Sequence, residues 1–171
     1  MLPFVEWRER LGRLEAALAP IAKRPVRIEE GWPEEVKSRP PAVDEAGVRS
    51  EAEALAGALV AAFVDADDET RAQLRKLVVA SRSFAWAAWP RTAHLDAGAR
   101  LRVDLAWLAL TGERYDPRDL ILAVDRLVRD AREARLDVRA ALREAAAMAA
   151  DAPNDLGSPR AILARGGFAT R

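Results

Sequence analysis

The chain has 171 residues, of which 50% are hydrophobic and 32% are charged, and its 27 basic and 27 acidic residues cancel. This composition is typical of a folded domain with one hydrophobic core, and it excludes an intrinsically disordered chain. Because there is no cysteine, disulfides, thiolate catalysis and cysteine-ligated metal centres are excluded as well.

Nothing in the sequence points to a membrane or to secretion. No segment has the roughly 18 consecutive apolar residues of a membrane span, and the first residues lack a signal-peptide pattern. We therefore expect a cytoplasmic protein. All basic residues except Lys23, Lys37 and Lys76 are arginine, which together with abundant alanine is typical of a GC-rich genome.

Residues 1–21 predict an N-terminal helix with a narrow apolar stripe. Its members follow at alternating spacings of three and four residues, which is the a/d pattern of a heptad: Phe4, Trp7, Leu11, Leu14, Leu18 and Ile21. Because proline interrupts helices, Pro20 should end this helix before Ile21. The stripe fits docking onto the chain's own body, or pairing with a partner protein or with a second copy of the chain.

Residues 22–47 predict a linker or wrapping arm. Prolines recur there, at Pro25, Pro33, Pro40 and Pro41, and Pro40-Pro41 favours an extended path. The arm leads into a helical core domain over residues 44–150. After that domain, residues 151–171 predict a short helix, started by Ser158-Pro159 and ended by Gly166-Gly167, and a mobile tail.

Within the core domain the apolar spacing predicts five helices. They cover about residues 44–64, 69–89 up to Pro90, 96–112, 117–135 and a stretch that begins after Asp137. The third of these carries apolar side chains all round from Leu101 to Leu110, which is typical of a central helix. Its charged residues Arg102 and Asp104 must reach solvent or find partners.

Two surfaces are candidates for partner binding because tryptophan and arginine are enriched at binding hot spots. One lies at the end of the 69–89 helix, where residues at i, i+4 and i+7 are followed by an arginine: Arg82, Trp86, Trp89 and Arg91. The other is the outer face of the 117–135 helix: Arg118, Leu122, Arg126 and Arg129. The ordinary alternatives are a tryptophan core and a solvated charged face.

The charge is unevenly distributed along the chain. Residues 71–102 carry seven basic and one acidic residue, whereas residues 1–70 carry nine basic and 15 acidic ones. A basic segment close to Trp86 and Trp89 could neutralise phosphates and stack bases. Nucleic-acid binding through residues 71–102 is therefore one alternative function.

The residues needed for common catalytic chemistries are missing. His94 is the only histidine and has no nucleophile motif beside it, and neither a metal-ligand spacing nor a glycine-rich phosphate loop occurs. We therefore predict no catalytic, metal or cofactor residues. A small helical enzyme that works through Asp, Glu, Arg and Tyr115 is a second alternative.

Two helix starts resemble those of HEAT- and armadillo-type proteins. They are Asp116-Pro117-Arg118-Asp119-Leu120 and Asp137-Val138-Arg139-Ala140-Ala141-Leu142. The resemblance covers about residues 65–150 and implies antiparallel helical hairpins that form a partner-binding scaffold without catalysis. Small helical scaffolds of bacteria also include immunity proteins that block a toxin, an analogy with the same implication.

Taken together, these patterns predict an all-α, compact bundle of six to seven antiparallel helices with a Pro-rich arm near the N-terminus. The expected function is non-catalytic protein–protein interaction or regulation, as a scaffold, adaptor or immunity-like binding protein. The partner would be another protein.

Overall fold

The computed structural model describes residues 2–22, 44–151 and 157–167, which are mostly helical and contain no strand. They form eight α-helices and one 3-10 helix, Gly112–Arg114: α1 (Phe4–Ala22), α2 (Glu45–Val64), α3 (Asp68–Ala80), α4 (Arg82–Ala87), α5 (Ala97–Thr111), α6 (Pro117–Glu133), α7 (Val138–Met148) and α8 (Pro159–Arg165). The predicted all-α class is confirmed. None of these helices is long and apolar enough to cross a bilayer. Residues 23–43 of the predicted arm (22–47), and residues 152–156 and 168–171 of the predicted C-terminal segment, lie outside the described residues.

The prediction that Pro20 ends α1 is wrong, because the helix continues to Ala22. Proline removes one hydrogen bond to the carbonyl of Ala16. Ala16 and Pro20 both lie on the exposed side of α1, where water can solvate that carbonyl. Burial of Leu18 and Ile21 on the opposite side holds the last turn in place.

The apolar stripe of α1 faces the chain's own body. Trp7, Leu11, Leu14 and Leu18 are buried, and Phe4 packs against the same core. The helix docks on α2, α3 and α4. Because the stripe is already covered, it offers little surface for the self-association considered from the sequence.

Aspartates start most of the helices, as their positions in the sequence predict. A carboxylate at the N-cap accepts a hydrogen bond from a free backbone N–H of the first turn. This arrangement occurs at Asp44, Asp67, Asp96, Asp116 and Asp137. The hydroxyl of Ser158 does the same for α8 by accepting from the N–H of Ala161 at 3.1 Å.

The helix α5 is the centre of the molecule. It packs against α2, α3, α6, α7 and α8, and every residue from Asp104 to Thr111 is buried. A helix that is apolar on all sides needs neighbours on all sides. The prediction of a central helix is therefore confirmed. Arg102 reaches solvent and pairs with Glu144 at 3.5 Å.

The predicted single helix over residues 69–89 is instead two helices, α3 and α4, divided at Ser81. Ser81 gives α4 no side-chain cap. The cap comes from α1: the carboxylate of Glu15 accepts hydrogen bonds from the N–H groups of Ser83 and Phe84, both at 2.9 Å. A carboxylate is favourable at a helix N-terminus, and this one stabilises the break from a distant part of the chain.

The short helix α8 lies between α6 and α7. These two helices are consecutive in the chain, yet each packs more extensively against α5 and α8 than against the other. Ile162 and Leu163 of α8 are fully buried. Because α8 fills the inner part of the space between α6 and α7, the outer part stays open as a groove.

Candidate partner-binding surfaces

The two tryptophans of the first predicted surface have different surroundings. The break at Ser81 and the end of α4 at Ala87 place Trp89 in the connector that follows the helix. Trp86 is 67% exposed. Trp89 is partly buried, and its ring lies edge-on to Trp107 with 6.4 Å between the ring centroids. Of the two tryptophans on the predicted Arg82–Trp86–Trp89 edge, only Trp86 is exposed, and Trp89 no longer lies on the same helix.

Trp86 forms a small aromatic surface with Tyr115. Their ring centroids lie 6.0 Å apart with 39° between the ring planes. Arg82 and Arg114 line a shallow cavity of about 300 Å³ beside Trp86. The buried Nε of Arg114 has no hydrogen-bond partner among the described residues. Burial raises the pKa of Tyr115, so its ring contributes a neutral, aromatic surface at neutral pH.

Trp89 binds the only buried carboxylate of α5. Its indole Nε1 donates a hydrogen bond to Oδ1 of Asp104 at 2.8 Å. Burial raises the pKa of Asp104, although this hydrogen bond and the charge of Arg100 oppose that shift. Asp104 also lines a cavity of about 180 Å³. Its contact with Trp89 gives it a structural role, since it joins the connector to the central helix.

Most basic residues of the 71–102 segment are engaged within the molecule. Arg71 donates to the carbonyls of Phe63 and Val64 at the end of α2. Arg75 donates to the carbonyl of Met148 at 2.5 Å. Basic groups at helix C-termini stabilise the unpaired carbonyls and the helix dipole. Such contacts reduce the charge that the segment could offer to phosphates.

Arg91 belongs to the same group of engaged residues. Its guanidinium donates to Glu53 at 2.6 Å and to the hydroxyl of Ser50 at 2.7 Å, and so it ties the connector to α2. The predicted cluster comprised Arg82, Trp86, Trp89 and Arg91. Of these four residues, Arg82 and Trp86 are exposed and have no side-chain hydrogen bond of this kind to the described residues.

The second predicted surface lies on the outside of α6. Arg118, Leu122, Arg126 and Arg129 are all exposed, and Leu122 is 60% exposed. Arg129 pairs with Asp125 at 3.0 Å. The guanidinium groups of Arg118 and Arg126 have no hydrogen-bond or ion-pair partner among the described residues. The predicted face therefore consists of an exposed leucine among arginines.

A groove between α6, α7 and α8 has a volume of about 670 Å³. Its apolar residues are Ile121, Leu136, Val138, Leu142 and Ile162, and its charged residues are Arg132, Arg139, Arg143, Arg165 and Asp137. All four arginines are exposed. An apolar floor with a predominantly basic rim is suited to a ligand that is both apolar and acidic.

The turn between α6 and α7 shapes one end of the groove. Arg135 has a left-handed backbone with φ of 60°. The N–H of Arg135 donates to the carbonyl of Arg132, and the N–H of Leu136 donates to that of Ala131. These two bonds form a Schellman motif in which arginine occupies the position that glycine usually takes. The motif directs Leu136 towards the groove.

Close backbone contacts hold α8 in the groove floor. A Cβ atom on Gly112 would lie 2.8 Å from Pro159, and one on Gly167 would lie 2.9 Å from the backbone of Asp125. Gly167 also has φ of 68°. At the other end of α8, the guanidinium of Arg160 donates to the carbonyl of Ala149 at 3.1 Å. The floor is therefore fixed to α5, α6 and α7.

The groove residues were not among the predicted site residues; they are Arg132, Arg139, Arg143 and Arg165. One signal was available, because Arg139 and Arg143 are one helical turn apart on the exposed side of α7. The position of α8 between α6 and α7 depends on contacts between distant residues, and no local pattern encodes it.

Neither metal chemistry nor a known relative accounts for these surfaces. Within residues 2–22, 44–151 and 157–167, no group of three His, Asp or Glu residues could hold a metal ion. His94 is exposed in the connector. Comparisons with models of protein families, with curated proteins and with solved structures found no match to this chain.

Proposed function

We propose that this chain is a non-catalytic protein-interaction module that binds its partner at the α6–α8 region. The observation that carries the proposal is the groove: an apolar floor rimmed by Arg139, Arg143 and Arg165, next to the exposed Leu122 face of α6. Arginine around apolar anchors is typical of binding hot spots. The fixed position of α8 supports the proposal, because a preformed site loses less entropy on binding.

The outer face of α6 and the groove are two sides of one helix. Ile121 and Arg132 of α6 line the groove, whereas Leu122 and Arg126 are exposed on the outer face. We infer that a partner can contact both sides. We further propose that the helices form an antiparallel, HEAT-like scaffold. Such a scaffold would be consistent with an adaptor or an immunity-like protein.

Both alternative functions have less support. The engagement of Arg71, Arg75 and Arg91 within the molecule weakens the argument for nucleic-acid binding. For an enzyme, one would look for several carboxylates with shifted pKa values in one apolar pocket. Asp104 has a raised pKa, but it is occupied by Trp89.

Affinity capture from extracts of the native host tests the proposal. The immobilised protein would be compared with Arg139→Glu/Arg143→Glu in the groove and Arg118→Glu/Arg126→Glu on the outer face. A matched control is Arg8→Glu/Arg13→Glu, which changes the net charge equally on exposed positions of α1. We expect a protein that is retained by the wild type and the control and is lost from at least one of the other two variants.

Thermal unfolding followed by circular dichroism would verify that all four proteins are folded. Because the substituted side chains are exposed, each variant should be about as stable as the wild type. Identical sets of captured proteins for all four would contradict the proposed binding region.

A further inference from the structure

The apolar and basic residues that line the groove indicate which class of partner it binds. This inference rests on the proposed function and deepens it. We propose that the groove binds an acidic amphipathic helix of another protein, with apolar side chains on the floor and carboxylates against Arg139 and Arg143.

The floor still has apolar surface to cover. Leu142 and Ile162 are buried, but Ile121 and Leu136 are only partly buried, and Leu122 is exposed on the adjoining face. Helices that bind in grooves place apolar anchors at i, i+3 or i+4, and i+7. Covering the floor in this way would remove apolar surface from water, which favours binding.

The spacing of the arginines matches a helix. Arg139 and Arg143 are four residues apart on α7, a rise of roughly 6 Å. Acidic residues at i and i+4 of a partner helix have the same spacing. Each guanidinium can form two parallel hydrogen bonds with a carboxylate. Neither arginine has a hydrogen-bond or ion-pair partner for its guanidinium among the described residues.

The arrangement fits a fatty acid or another small acid less well. Arg139 and Arg143 come from α7 and Arg165 comes from the end of α8, and so basic side chains border the groove on two sides. A single carboxylate could engage one side only. An acidic helix presents several carboxylates along its length, which matches this distribution of charge.

The chain's own acidic turn, which contains Asp67 and Asp68, is poorly suited to bind in the groove. A second copy of the chain is therefore not the expected partner. Asp67 caps α3 by accepting from the N–H of Thr70 at 2.8 Å, and Asp68 pairs with Arg71 at 3.3 Å. These carboxylates are engaged, and they stand at the start of a helix instead of along an amphipathic face.

A synthetic peptide tests the proposal directly. It would have about 16 residues of Glu, Leu and Ala, roughly 24 Å as a helix, with leucines on one face and glutamates one turn apart at its edges. We expect a fluorescein-labelled peptide to bind in anisotropy titrations, and binding should weaken as salt is raised from about 50 to about 300 mM. Arg139→Glu/Arg143→Glu should weaken it at least about tenfold, and Arg8→Glu/Arg13→Glu should not.

Two further probes examine the apolar contact and the class of ligand. In one peptide the leucines are replaced by serine, and we expect its binding to be lost. The second probe is a labelled single-stranded oligonucleotide of similar length, which should bind more weakly than the acidic peptide. Equal binding of the serine peptide, tighter binding of the oligonucleotide, or no effect of the groove substitutions would each overturn the proposal.

The outcomes separate this inference from the proposed function. If native capture depends on Arg139 and Arg143 but the acidic peptide fails to bind, the interaction module stands and the acidic-helix class is wrong. If no captured protein depends on the α6–α8 region, the proposed function itself is wrong, whatever the peptide does.

Discussion

Arginines have opposite roles in two regions of this protein. In the α3–α5 region Arg71, Arg75 and Arg91 bind helix ends or acidic side chains of the same chain. In the α6–α8 region Arg139 and Arg143 are exposed beside an apolar groove. The local density of basic residues is therefore a poor guide to function. A better guide is whether the guanidinium groups already have hydrogen-bond partners within the chain.

The largest expected effect comes from the contact that holds the groove floor. Gly167→Ala would place a methyl group 2.9 Å from the backbone of Asp125 in a left-handed conformation. We expect a loss of about 2–4 kcal/mol in the free energy of unfolding, measured with urea. Gly57 lies within α2 with open space around it, so Gly57→Ala should instead stabilise by about 0.5–1 kcal/mol. A similar result for both variants would mean that α8 is not fixed by this contact.

Arg75 and Arg143, one from each region, should contribute differently to stability. Arg75→Ala removes a hydrogen bond to the carbonyl of Met148 and should cost about 2 kcal/mol in urea unfolding. Arg143 lies on the exposed side of α7, so Arg143→Ala should change stability by less than about 0.5 kcal/mol. The same loss of stability at both positions would mean that arginines of the two regions do not differ in how strongly they are engaged.

A smaller effect of opposite sign is expected at the turn before α7. Arg135 has φ of 60°, which is unfavourable for a residue with a Cβ atom and natural for glycine. Arg135→Gly should therefore raise the free energy of unfolding by up to about 1 kcal/mol. As a control, Arg126→Gly in the middle of α6 should lower it by a similar amount. Destabilisation by Arg135→Gly would show that the arginine side chain contributes a contact of its own.

The smallest effect depends on pH. Burial raises the pKa of Asp104, so the native state binds its proton more tightly than the unfolded state does. The contribution of Asp104 to the free energy of unfolding should therefore fall as the pH rises. The fall begins at about 3.9, the pKa of aspartate in the unfolded state, and continues through the raised pKa of the native state. In Asp104→Asn the amide oxygen can still accept from Trp89, so at pH 7 the variant should lie within about 1 kcal/mol of the wild type.

Thermal unfolding of both proteins between about pH 4 and pH 7 measures this dependence. The stability of Asp104→Asn relative to the wild type should increase with pH over that range. A constant difference would mean that Asp104 has the same pKa in the native and unfolded states.

The features that the sequence predicted well are those with local causes. The cap residues Asp96 and Asp116 mark helix starts because the groups they bind are two or three residues away. The central position of α5 followed from its apolar surface, which needs neighbours on every side. The exposed face around Leu122 followed from the helical period of α6.

The features that the sequence did not predict depend on distant residues. Glu15 caps α4 from 68 residues away, so the break at Ser81 has no local signal. That break also separates Trp86 from Trp89, which an unbroken helix would have kept on one edge. The groove needs α8 between α6 and α7, and this placement depends on the contact of Gly167 with Asp125.

The cap that Glu15 provides has a consequence for the order in which parts of the molecule open. The N–H groups of Ser83 and Phe84 are protected only while α1 stays docked, because their acceptor belongs to that helix. Helices α1 and α4 should therefore exchange their amide hydrogens as one cooperative unit. The exchange rates at these two amides would then report how often the N-terminal helix leaves the body of the protein.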